Sequence, residues 1–496
     1  LRKITGIFFV LTILAGPGFA QATPGQPKVL LLSLEDALRI ASGESETVWV
    51  AEAGVMRALG TEKSTRSGLF PQLSGTASYQ RTLRSQFSGI NFGGASQDQG
   101  LQNLPFFQVN QYSLGLSLSQ LLFDGGQVLA RTHASEARRR SSKIDVDAAR
   151  AQTLLDTTSA YFDALLDDRL VEIAEASLAQ QEELLRQTGV AKDVGEKSEF
   201  ELLQSRVARD NQLPVVIQNR SQRQAAYWRL KQLLNVPLDD EIRLTTGIQD
   251  LPARFATAAD PAPDVRAPVR QAEENVAANK DLLKGARGER WPSISLSSFY
   301  NPVAYPASGV LPGISDFREN WTVTLSLSVP IFTGGRLAGD ELTARGNLSE
   351  AWARLKQTRE QAELDARVSR NDLADAEAIL KSNESTSEQG RRAYEIAQLR
   401  FREGLSSQIE LQDSRLQFEQ AQVNQARALR NVQVARAKLA LLRDLPLGGG
   451  NGSGAAAAQA VNAAAQTPAP AQPVQPTQPS TGGAIPGISS PGGPTP

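Results

Sequence analysis

The residues able to do chemistry are few, and their spacing does not favour catalysis. His133 is the only histidine and the chain has no cysteine, so neither a metal-ligand set nor a thiol nucleophile can be built around it. It stands beside Arg131 and Glu136 in a charged helical stretch, the setting of a solvated surface residue. Asp167 and Asp168 fall on a solvated helix, whereas acid–base work needs carboxylates inside a formed pocket. Glu410 and Asp413 stand three residues apart and so share a helix face, just after Gly404. Read alone they are an ordinary solvated helix face. The glycine-rich strings lack a following Lys-Ser or Lys-Thr, and no GxGxxG occurs, so no phosphate cradle is expected. An enzyme is disfavoured, and neither a cofactor nor a bound metal is expected.

The glycines instead mark a duplication. Phe123-Asp124-Gly125-Gly126 is answered 209 residues later by Phe332-Thr333-Gly334-Gly335. At the same spacing Gly195 meets Gly404, Leu202 meets Leu411, Arg206 meets Arg415 and Pro237 meets Pro446. Gly195 and Gly404 fit tight turns that need left-handed backbone. Each Gly-Gly pair, Gly125-Gly126 and Gly334-Gly335, sits where a strand passes into a helix and a side chain would crowd the bend.

Before each Gly-Gly lies a run of period two. Residues 111–120 set Tyr112, Leu114, Leu116 and Leu118 against Ser113, Gly115, Ser117 and Ser119. Residues 321–329 set Trp321, Val323, Leu325, Leu327 and Val329 against Thr322, Thr324, Ser326 and Ser328. Weaker partners precede them at 73–83 and 293–300. These are strands with one apolar and one wet face. A soluble sandwich accommodates each strand singly. A membrane barrel fits better, because the runs approach the ~9–11 residues a tilted strand needs and Tyr112 and Trp321 stand at strand ends where interfacial aromatics belong. Four strands cannot close a barrel, and lipid tolerates no open edge. Closure then requires more than one copy, and a trimer gives twelve strands around a wet lumen.

Long helices follow each strand pair: 127–187 and 198–234 in the first copy, 336–402 and 407–443 in the second. The first has neither Pro nor Gly and would span roughly 90 Å at 1.5 Å per residue. Leu154, Thr158, Tyr161 and Leu165 follow the coiled-coil stripe, and Pro214 is expected to bend the return helix. Shorter helical stretches at 34–65 and 267–286 lead into the first strand of each pair. A filamentous scaffold is the bland alternative for such helices. The organisation is then a first repeat at 29–234, a Pro- and Asp-rich belt at 235–266, a second repeat at 267–446 and a disordered Ala/Pro/Gly-rich tail at 447–496. Arg2, Lys3 and the apolar run from Ile4 to Leu14 read as a secretory signal over 1–22. The balance of 52 basic against 53 acidic residues argues against a nucleic-acid surface.

The strings Leu34-Glu35-Asp36-Ala37-Leu38, Leu69-Phe70-Pro71-Gln72-Leu73, Leu122-Phe123-Asp124-Gly125-Gly126, Val329-Pro330-Ile331-Phe332-Thr333-Gly334-Gly335 and Phe401-Arg402-Glu403-Gly404, in that order and duplicated, resemble the TolC family of outer-membrane efflux and secretion channels. The resemblance covers about Leu30 to Pro446. It implies a homotrimer with a twelve-stranded barrel in outer-membrane lipid of a Gram-negative bacterium, continued by a helical tunnel across the periplasm. It also implies a periplasmic adaptor (membrane fusion protein) and an inner-membrane RND or ABC transporter as partners, in an efflux or type I secretion system. On the same ground the turns at Gly195 and Gly404 match the tunnel tips, Glu410 and Asp413 match acidic residues at the narrow entrance, and Glu201 matches an acidic residue that latches the first helix pair. Phe401 stands where the family has a latch tyrosine and Ser406 where it has an arginine, so that latch cannot form; looser closure, or closure by hydrophobic contacts, is expected. The alternative is a passive porin or structural envelope protein with no pump partner.

Overall fold

A computed structural model describes residues 29–84, 109–250, 252, 255, 262–306 and 312–448. The described elements belong to one compact unit, Leu1–Leu447. The expected signal, residues 85–108 and 307–311 inside the strand pairs, part of the belt and nearly all of the tail lie outside the described residues.

The chain opens with β1 (Val29–Leu32), α1 (Leu34–Glu44) and α2 (Glu46–Ser67). Ser33 caps α1 by accepting from the Asp36 amide at 3.1 Å. The helix expected over 34–65 is interrupted at Ser45, whose backbone is extended and whose buried hydroxyl lies 3.3 Å from that of Thr153. Then come β2 (Gln72–Arg81), β3 (Asn110–Phe123), α3 (Gln127–Asp193) and α4 (Glu199–Leu233). The helix α3 outruns its expected end by six residues because Gly189 does not break it. The return helix α4 continues through Pro214, where the missing N–H leaves a carbonyl of the preceding turn without its donor. In the belt, β4 (Glu241–Leu244) pairs in parallel with β1.

The second repeat runs α5 (Ala267–Gly288), β5 (Ser293–Tyr300), β6 (Val303–Ala304), β7 (Phe317–Arg318), β8 (Trp321–Ser328), α6 (Arg336–Arg402) and α7 (Gln408–Leu441). The four long strands stand in the order β2–β3–β5–β8, each antiparallel to its neighbour. The two-residue strands β6 and β7 extend the sheet beside Tyr112 and Ser113 of β3. Among the described residues no helix is long and apolar enough to cross a membrane.

The core sits where the belt meets the helices. Leu34, Leu38, Tyr161, Phe162, Leu230 and Ile242 pack together and are almost fully buried. Tyr161 ties three segments: its hydroxyl donates to the Leu32 carbonyl at 3.0 Å and accepts from the Thr246 amide at 3.2 Å. Elsewhere α3 buries mostly Ala, Ser and Thr, among them Ala130, Ala134, Ala137, Thr157 and Ala164, which lets neighbouring helices approach closely. Arg266 is the largest fully buried side chain. It is satisfied by the carbonyls of Leu442 and Ala362 and by Asp365 at 2.8 Å, so the end of the belt is pinned between α6 and α7.

Candidate functional site: the sheet wall and the helical tips

Register turns four amphipathic strands into two coherent faces. Leu73 pairs with Leu118, Ala77 with Leu114 and Tyr79 with Tyr112. Ile294 pairs with Leu327, Leu296 with Leu325 and Tyr300 with Trp321. Because side chains alternate with period two, one face is almost wholly apolar and the other carries hydroxyls. On the wet face Ser74 and Ser117 lie 2.6 Å apart and Ser78 and Ser113 2.7 Å apart, a ladder that costs nothing to hydrate. Leu325 and Leu327 of the apolar face are 67% and 65% exposed, which no water-soluble wall would tolerate across four strands.

Tyr112 and Trp321 stand at one end of this face, each against an aromatic register partner. The Tyr79 and Tyr112 rings are 4.7 Å apart and those of Tyr300 and Trp321 6.4 Å, edge to face. The opposite end has its own exposed aromatics, Phe70, Trp291 and Phe332. Sequence reasoning missed this second belt because none of the three lies within a strand.

At that end the chain turns from strand to helix. Gly125, Gly126, Gly334 and Gly335 all have positive φ, a conformation that costs other residues about 1–2 kcal/mol. Gly125 is also sterically obligatory: a Cβ there would lie 2.2 Å from the Gly288 carbonyl oxygen. The Asp124 carboxylate accepts from the Gly126 and Val128 amides at 3.0 and 2.7 Å, starting α3.

The two helical tips are built alike. Gly195 (φ 82°) and Gly404 (φ 71°) follow the ends of α3 and α6. In the first tip the Glu196 amide donates to the Ala191 carbonyl and the Gly195 amide to that of Lys192. In the second the Leu405 amide donates to Arg400 and the Gly404 amide to Phe401. Both are Schellman turns. Three residues on, Ser198 and Ser407 cap the returning helices by accepting from the Glu201 and Glu410 amides. Glu201 and Glu410 therefore occupy the same helical position in the two repeats.

Their surroundings differ. Glu201 accepts from the Ser198 amide at 2.9 Å and from Lys197 at 2.8 Å; the Lys197 hydrogen bond and the Ser198 backbone hold its carboxyl below the usual range. Glu410 instead faces Arg400 at 3.8 Å, and Asp413 accepts from Gln417 on an exposed surface. Phe401 is brought to Glu201 indirectly: the Lys197 ammonium lies 5.0 Å from its ring centroid. That cation joins the first tip to the last turn of α6, a contact the sequence did not reveal. The Ser406 hydroxyl is buried and has no hydrogen-bond partner among the described residues.

Above the tips the two hairpins meet through a polar seam. Gln408 donates to Ser205 at 2.6 Å. Higher up, Arg415 donates to Ser177 and to Glu419. With its amide oxygen turned toward it, Gln181 accepts from Arg415 Nε and Nη2 at 2.5 and 2.8 Å. Ser177 and Gln212 donate to the Glu419 carboxylate at 2.8 and 3.1 Å. The duplication pairs Arg415 with Arg206, yet Arg206 is exposed; the repeat alone could not identify which arginine is structural.

The outer membrane efflux protein family profile matches residues 38–236 and 262–443. The chain is 24% identical over 427 residues to the pyoverdine export outer membrane protein OpmQ of Pseudomonas putida, covering 84% of this chain and 86% of that one. It is 25% identical over 334 residues to nodulation protein T of Rhizobium leguminosarum bv. viciae, covering 65% and 67%. The fold is shared with the Campylobacter jejuni CmeC outer membrane channel (TM-score 0.67, 16% identity, 87% and 89% covered) and with VceC of Vibrio cholerae (TM-score 0.66, 18% identity, 84% and 96% covered). A two-faced sheet, helices of matched length and a family profile spanning both repeats lead to one assignment: the chain belongs to the outer membrane efflux protein family, the TolC-type channels, which are non-catalytic conduits of the outer membrane that extend into the periplasm.

Proposed function

We propose that three copies close a twelve-stranded barrel and form the exit duct of a tripartite efflux or type I secretion system. The observation that carries this reading is the two-faced sheet whose edges at β2 and β8 are, among the described residues, unpaired. Unpaired backbone groups cannot remain in lipid, so the edges must find each other in neighbouring copies. Because the long strands alternate in direction and are even in number, β8 of one copy meets β2 of the next antiparallel, and the pattern continues around the ring. The apolar face then meets lipid and the hydroxyl face lines the lumen.

The tips supply the partner surface. Val190 and Leu399, Phe200 and Ile409, and Val207 and Leu416 are equivalent pairs in the two repeats, and all six side chains are 56–70% exposed. In a trimer these give six similar apolar seats, suited to a periplasmic adaptor that presents six equivalent segments. Glu410 and Asp413 would form two carboxylate rings at the entrance, binding cations and selecting by charge. Relatives are named for cargoes as different as pyoverdine and toluene, which fits a duct that filters only by charge, with most of the selection left to an inner-membrane RND or ABC transporter.

Partner capture tests this. The chain has no cysteine, so Leu405→Cys places one exposed thiol at a tip for crosslinking in intact cells. An adaptor recovered with a proton-driven pump supports efflux, and one recovered with an ATP-driven exporter supports secretion. Crosslinks only between copies of this chain, in cells shown to be transporting, would overturn pump coupling in favour of a passive pore.

A further inference from the structure

The hydroxyl face of the sheet is broken by two apolar side chains. Leu121, at the helix end, pairs with Ser295 and is half-buried. Phe299, near the outer end, pairs with Ser117 on one side and Thr322 on the other, and it is 48% exposed. Its strand neighbours on the same face are small and hydroxylated, and its register places it one residue from the level of the Tyr300–Trp321 pair, on the other side of the wall. A phenylalanine on the wet face gains nothing from lipid and has no apolar register partner to pack against.

We infer that Phe299 is a solute-contacting residue of the duct, and that its ring binds passing aryl cations. The inference rests on the trimeric reading above. Twelve strands about 4.8 Å apart and tilted about 40° enclose a radius of about 12 Å, and a phenylalanine side chain spans about half of that distance. Serine and threonine reach much less far, so three Phe299 rings project into the lumen beyond their register neighbours Ser117 and Thr322. A ring face attracts cations electrostatically and stacks with planar solutes. The hydroxyls beside it offer acceptors to the cation's hydration shell without competing as charges. Solutes that are both aromatic and cationic are therefore retarded here, and small hydrated ions pass.

The test uses the full-length trimer in planar lipid bilayers, with benzyltrimethylammonium added from the outer side and tetramethylammonium as the ring-free control. The parent should show concentration-dependent block by the aryl cation only. Phe299→Leu, which keeps apolar bulk but loses the ring, should weaken that block about threefold or more. Phe299→Ser should do the same and also raise the conductance. Equal block in the parent and both variants would overturn the inference while leaving the duct intact. Failure of the parent to form channels in bilayers would instead overturn the duct reading, and the inference with it.

Discussion

Replacing Lys197 with methionine keeps the aliphatic stem and removes the charge that joins the two tips. The ammonium has two partners, and only one counts toward closure. Its ion pair with Glu201 lies within one hairpin and survives any separation of the tips, so it cancels. Its contact with the Phe401 ring spans the hairpins. At a site where the Lys197 side chain is 33% exposed, such a contact is worth about 0.5–1 kcal/mol. In the proposed trimer, with this contact made only in the closed state and the three copies opening together, the closed state loses about 1.5–3 kcal/mol, or roughly ten- to a hundredfold in the closed-to-open ratio. Single-channel recording reads this directly as shortened closed dwell times. Lys197→Arg should stay near the parent, because guanidinium serves the ring equally well. Unchanged dwell times in Lys197→Met beside shortened ones in Phe401→Leu would refute the cation's part and leave Phe401 as a plain apolar contact.

Three further outcomes are expected. Gly125→Ala should abolish SDS-resistant oligomers on gels, because the added Cβ meets backbone at 2.2 Å, whereas Gly126→Ala enters open space and should cost only about 1–2 kcal/mol of backbone strain. Arg415→Met should destabilise the seam by about 3 kcal/mol by stranding Glu419, and adding Glu419→Leu should recover most of that; amide exchange in α3 and α7 measures both. Asp167 has its carboxyl pushed up to about 6, first by burial and then by Asp163 and Asp168. The folded form therefore holds a proton that the unfolded form has lost between about pH 4 and 6, and stability falls as pH rises through that window. Asp167→Asn should remove the fall, gaining about 1–2 kcal/mol at pH 7 once solvent screening is allowed for, with no gain at pH 4 in thermal melts.

What the sequence revealed were features with short periods or obligatory residues. Leu114, Leu116 and Leu118 alternate with Gly115, Ser117 and Ser119 because a strand has two faces, and Gly195 and Gly404 recur because both turns need positive φ. What it hid were contacts between segments far apart in the chain. Glu241-Ile242-Arg243-Leu244 does alternate polar and apolar, but over only four residues, too short a run to announce a strand, and β4 exists because β1 lies beside it. Lys197 lies over the Phe401 ring although 204 residues separate them in the chain. Arg206 and Arg415 looked equivalent, yet only Arg415 faces Ser177, Gln181 and Glu419. Local rules fix the elements, whereas burial of polar groups depends on which helix arrives opposite.

The helices α3 and α6 are each 67 residues long, and this equality constrains how the family can change. A seven-residue insertion in α3 alone would push one tip about 10 Å past the other and part Lys197 from Phe401. It would also slide every polar layer of the seam out of register. Lengthening therefore has to occur in both descending helices and both returning helices at once, in whole turns. Reach is thus a quantised, fourfold-coupled property of this chain: a single insertion would cost both the tip contact and the seam, so a change of span is expected only when all four helices change together.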